Sequence, residues 1–109
     1  MRTYVVLFRG GLPKEKLTDE YLSRFANWCK YVSKDLKLGN RIRPEGKLIS
    51  GKNGEKVSDV EFSSSLVAGY VVIQADDYDG AVSKLKACPI FENGGSVEVR
   101  EILPVQLKD

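Results

Sequence analysis

Histidine is missing from this chain altogether. With it go the commonest general base near neutral pH and the usual zinc ligand, so acid–base chemistry would fall to Asp59, Glu61, Tyr70 and the arginines. Cysteine is scarce: Cys29 and Cys88 form neither a CxxC pair nor a spaced set, so no disulfide framework and no metal centre are expected. Long apolar runs are also lacking. The opening MRTYVVLFRGG holds one five-residue run, shorter than a signal-peptide core and far shorter than a membrane span, so a cytoplasmic location with no membrane partner is expected. No charge of one sign dominates. Seventeen basic and fifteen acidic residues leave +2, without the positive field that marks a nucleic-acid binder. Glycine-rich phosphate loops are absent too: Gly94-Gly95 leads into a strand rather than a helix N-terminus, and no cofactor is expected.

What remains is enough for one domain over residues 1–109, with 42% hydrophobic content and no repeat or low-complexity linker. Thr3 to Arg9 is β-branched and aromatic, a strand closed by Gly10-Gly11 and Pro13. From Thr18, a suitable N-cap, apolar residues recur at helical spacing through Tyr21 or Leu22, Phe25, Trp28 or Cys29, Val32 and Leu36, and Gly39 is expected to end that helix. Asn53-Gly54 predicts a two-residue hairpin turn with Lys52 opposite Glu55. Leu66 to Ala75 reads as a second buried strand. Asp76 or Asp77 caps a helix whose expected face is Tyr78, Val82 and Leu85. Ser96 to Leu103 is the last strand.

This order is the βαββαβ pattern of a ferredoxin-like α+β fold with an added β-hairpin. Both outer faces of the first strand are apolar, Tyr4, Val6 and Phe8 on one and Val5 and Leu7 on the other. The strand around Tyr70 and Ile73 is built the same way. Two helices cover one face of such a sheet, and a second copy of the chain is the simplest cover for the other. Cys88, expected at a helix carboxyl end before Pro89 and with no histidine to deprotonate it, reads as a small packed hydrophobe. Cys29 reads likewise, and Trp28 as a core residue. The basic stretch from Arg41 to Lys56 has no aromatic residue for base stacking and reads as a solvated hairpin, so nucleic acid is not an expected partner.

Four stretches in order, YVVLFRGG, RPEGKLISGKNGEKVSD, AGYVVIQADDYDGAV and CPIFENGGSVEVREI, together resemble the YCII-related domain family, specifically its DGPF branch, over nearly the whole chain. The resemblance implies a ferredoxin-like domain that dimerises sheet to sheet into a dimeric α+β barrel. The signature Asp-Gly-Pro-Phe stands here as Asp59-Val60-Glu61-Phe62, keeping both ends and losing Gly and Pro. Members of the wider family carry a histidine–aspartate pair, and some act as lyase-type enzymes on small aromatic substrates. That pair cannot exist here, and only Asp59 matches, as a ligand contact or weak base. Whether the chain is an enzyme stays open. The preferred expectation is a homodimeric domain binding an anionic or aromatic small molecule near Arg9, Asp59 and Tyr70, with no catalytic residue assigned. The alternative is a regulatory or interaction module associated with sigma factors or transcription initiation.

Overall fold

The computed structural model describes residues 1–11, 16–33, 39–60, 63 and 65–104. Six strands and two helices occur among them: β1 (Arg2–Arg9), α1 (Asp19–Val32), β2 (Gly39–Arg41), β3 (Gly46–Ser50), β4 (Lys56–Val60), β5 (Val67–Ala75), α2 (Tyr78–Leu85) and β6 (Ser96–Glu101). The main sheet has the order β2-β5-β1-β6 with every neighbouring pair antiparallel, and β3 and β4 form a separate two-stranded sheet. With the hairpin set aside, this is the ferredoxin-like arrangement: the first and third strands of the βαββαβ series lie at the centre and the second and fourth at the edges.

The alternation of β1 decides where the core lies. Tyr4, Val6 and Phe8 are buried while Val5 and Leu7 stay half-buried. On β5 the buried set is Gly69, Val71, Ile73 and Ala75, and register places Ile73 opposite Tyr4 and Val71 opposite Val6. Against this face pack Val32 of α1, Ala81 and Leu85 of α2, and Cys88 and Ile90. The opposite face, with Val5, Leu7, Tyr70 and Val72, carries no described helix. The expectation of two apolar faces with helices on one of them therefore holds, through strict period-two alternation.

Both helix starts follow their capping residues. The Thr18 hydroxyl accepts from the Tyr21 amide and the Asp77 carboxylate from the Gly80 amide, each satisfying an orphan donor of a first turn that also carries acidic residues. Gly39 does not end α1 as expected. The helix stops at Val32, where the Ser33 amide and hydroxyl both donate to the Cys29 carbonyl, and Gly39 belongs to β2 opposite Val71. Its lack of a side chain serves that pairing, since a Cβ there would stand 2.9 Å from the Tyr70 carbonyl oxygen. Leu36, expected on the helix, lies outside the described residues.

Three further expectations are corrected. The hairpin turn is centred on Lys52-Asn53, with the Gly54 amide donating to the Gly51 carbonyl and both glycines at positive φ; Glu55 accepts from the Asn53 amide instead of facing Lys52. Five residues close the loop because Ser50 pairs with Lys56. On α2 the buried residues are Ala81 and Leu85, while Val82 is 41% exposed; Tyr78 is half-exposed but lays its ring edge-on to Tyr4 at 5.0 Å and accepts from the Glu101 amide. The last strand ends at Glu101 rather than Leu103. Gly94-Gly95 does lead into that strand, and Gly95 makes a tight approach: a Cβ there would come within 2.9 Å of the Arg9 carbonyl oxygen.

Candidate functional site

Helix α1 is held to the rest of the molecule near its beginning. Arg24 grips Glu92 of the 3₁₀ turn Pro89–Asn93 through two hydrogen bonds of 2.8 and 3.1 Å, and the guanidinium holds that carboxylate below its usual range. Phe25 and Trp28 meet Phe8 edge-on at 4.9 and 5.9 Å. Yet of the α1 residues only Tyr21 and Val32 are buried, with Phe25, Trp28 and Cys29 half-exposed. The helix does not close over the sheet edge formed by β2 and β5.

A cleft of about 1040 Å³ lies there. Its apolar wall includes Phe8, Tyr21, Phe25, Cys29 and Ile90, and its sheet side is built from small residues, Gly39, Ala68 and Gly69. Burial raises the Tyr21 phenol above its ordinary value, and burial together with the Cys88 thiol pushes Cys29 up to about 12. Neither is a nucleophile or base near pH 7. No acidic residue stands in the described lining, whereas Lys30, Arg41 and Arg43 do. An apolar concavity with a cationic margin suits binding better than proton transfer.

The structure distributes the three residues expected to bind ligand over different places. Tyr70 borders the cleft, but alternation between Gly69 and Val71 sends its phenol to the helix-free face, where it accepts from Asn40 Nδ2 at 3.3 Å. Arg9 follows cleft-lining Phe8 and so also turns to the helix-free face; its Nε donates to Glu98 at 3.0 Å and another nitrogen to the Ser65 carbonyl at 2.8 Å. Asp59 sits on β4, exposed and paired with Lys47 across the hairpin. Arg9 and Tyr70 thus share a face, Asp59 stands on the separate hairpin sheet, and the described residues do not gather all three around one cleft. Glu61 and Phe62, which complete the signature begun by Asp59, lie outside the described residues. Sequence reasoning missed the cleft residues Phe8, Phe25 and Arg41. Their signal was the coincidence of small residues at Gly39, Ala68 and Gly69 with bulky ones along one helix face, which leaves volume unfilled.

Cys88 is buried at 3% exposure, as expected, though for a different physical reason. It precedes the 3₁₀ turn, where a hydrogen bond to the Ile90 backbone favours the thiolate, but burial outweighs this and holds the thiol at about 11. Among the described residues no helix is long and apolar enough to cross a membrane.

No family model and no curated protein matches the chain. Among solved structures it is similar to 5-chloro-2-hydroxyhydroquinone dehydrochlorinase from Burkholderia phenoliruptrix, determined in complex with 2,5-dihydroxybenzoquinone, at 12% identity and a TM-score of 0.50, covering 88% of this chain and 90% of that one. At that identity the likeness is one of fold, and it agrees with the ferredoxin-like α+β arrangement described above.

Proposed function

We propose that this protein is a homodimeric small-molecule-binding domain of the YCII-related type. The carrying observation is the apolar cleft under α1, of a size that holds a drug-sized molecule, with cations and no carboxylate in its described lining. That a protein of like fold has been determined with a quinone bound supports a small aromatic as the occupant. The absence of histidine and the raised values of Tyr21 and Cys29 favour binding over turnover.

Ala26 gives a clean test, because it lines the cleft yet is exposed and takes no part in the core. Ala26→Trp fills space without disturbing the core. Ligand-observed NMR with a mixture of benzoate, hydroquinone and naphthol is expected to show saturable binding to the native protein and none to the variant. Binding that survives Ala26→Trp, or no binding at all, overturns the cleft as the site.

The dimer rests on the helix-free face of Val5, Leu7, Tyr70 and Val72. Sheet-to-sheet pairing there would bury well over the roughly 1,000 Å² of a specific interface. Ligand contacts by Arg9, Asp59 and Tyr70 belong to this reading only through the second copy, whose approach would bring helix-free faces and hairpins together. Sedimentation at micromolar concentration is expected to give twice the 12.1 kDa chain mass. A monomer alone removes the dimer from the proposal.

A further inference from the structure

One arginine stands apart from the others in its pairing. The chain has six arginines. Arg2 pairs with Glu101, Arg9 with Glu98, Arg24 with Glu92, Arg43 with Glu45 and Arg100 with Glu98. Arg41 is the one arginine among the described residues without a carboxylate partner, and it is at the cleft. Its place in the register is equally specific. Arg41 stands opposite Gly69 on the edge strand, so it belongs to the face that carries Phe8 and Val71, and the position across from it has no side chain to fill the space beside the guanidinium. A side chain at Gly69 would be tight, since its Cβ would lie 3.0 Å from the Asn40 carbonyl oxygen. Lys30, on the α1 side of the same cleft, likewise has no ion pair among the described residues. Overall the chain is nearly balanced in charge, yet the described lining holds Lys30, Arg41 and Arg43, the last paired with Glu45 outside it, and no carboxylate.

From this we infer that the cleft selects an amphipathic monoanion: a body of one or two rings seated against Phe8, Tyr21 and Phe25, with a single carboxylate-type group held at Arg41 and supported by Lys30. The inference rests on the binding-cleft reading above and narrows it. A guanidinium offers paired donors in a planar fork that matches a carboxylate, and an apolar wall beside it lowers the local dielectric and strengthens that contact. A neutral phenol or quinol would gain the apolar contacts alone. With Lys30 engaged beside Arg41, and Arg43 already paired with Glu45, a second charge on the ligand would find no further cation in the described lining.

Calorimetry with a matched pair tests the charge contact and the cleft separately. Naphthoate and naphthalenemethanol share a ring system and differ in charge. Naphthoate is expected to bind the native protein roughly tenfold tighter, the scale of a charge-assisted hydrogen bond. Arg41→Gln, a substitution at an exposed edge position, is expected to bring naphthoate to within about twofold of the alcohol while leaving alcohol binding unchanged. Equal affinities in the native protein, or a preference for naphthoate that survives Arg41→Gln combined with Lys30→Gln, overturn the monoanion inference and leave the binding cleft standing. Failure of both ligands at millimolar concentration overturns the cleft reading and this inference together.

Discussion

Replacing Ile73 by Ala is expected to cost about 2–5 kcal/mol of unfolding free energy, a large part of the roughly 5–15 kcal/mol available to a domain of this size. Ile73 is fully buried at the centre of the sheet, opposite Tyr4, whose own phenol oxygen is buried without a hydrogen-bond partner among the described residues. The neighbourhood thus already carries one uncompensated polar group and can ill absorb a cavity as well. Leu48→Ala on the hairpin is the control. That side chain is 57% exposed, and its loss is expected to change stability by no more than about 0.5 kcal/mol. Urea unfolding followed by the Trp28 signal measures both. Similar costs for the two variants would show that the hairpin, and not the sheet face, carries the stability.

The second large effect is alkaline destabilisation. Folding holds Cys88 at about 11 and Cys29 at about 12, against an ordinary thiol near 8.5. Cys88 is the more buried of the two, yet Cys29 stands higher: repulsion from a Cys88 thiolate adds to its own burial, while the hydrogen bond to the Ile90 backbone draws Cys88 down. Above about pH 8.5 the unfolded chain loses thiol protons that the folded chain keeps, so the unfolded state is favoured. Stability present below that pH is lost progressively as pH rises towards the folded values, at up to about 1.4 kcal/mol per pH unit for each thiol. Urea midpoints taken between about pH 8 and about pH 10 should therefore fall, and should fall less in a Cys29→Ala, Cys88→Ala double variant. Alkylation of either thiol in the folded protein near neutral pH should be slow for the same reason. Parallel pH profiles in the two proteins, or rapid alkylation, would contradict the burial argument.

Much of this architecture is legible in the chain because it is written in local periods. Period two in Arg2–Arg9 and Val67–Ala75 and the caps Thr18 and Asp77 act within a few residues, and they place β1, β5 and both helix starts. The expected helix stop at Gly39 failed because two physical roles compete for a glycine, a left-handed cap and a close backbone approach, and the pairing with Val71 took the second. The face of α2 differs from the expected one because Tyr78, Val82 and Leu85 satisfy helical spacing as well as Ala81 and Leu85 do, and small Ala81 is what fits under the sheet. The site was the least legible. Arg9, Asp59 and Tyr70 are expected for their chemistry at segment ends, whereas the candidate cleft follows from space left among the described residues of α1 and the β2–β5 edge, which no single residue announces.

The hairpin of β3 and β4 has a topological consequence. Its two strands pair with each other and not with the main sheet, and Leu48, Ile49 and Val57 on it are all largely exposed. It interrupts a connection whose ends are already neighbours: Arg41 faces Gly69, and the Ile42 amide donates to the Ala68 carbonyl. Closing a loop between such fixed ends grows only slowly more costly with length, by about 0.6 kcal/mol per doubling. The β3–β4 hairpin, residues 46–60, therefore forms a splice site in the chain, where residues can be removed, exchanged or added while the register of the sheet and the cleft-lining residues Ile42, Arg43, Pro44 and Leu66 on either side stay in place.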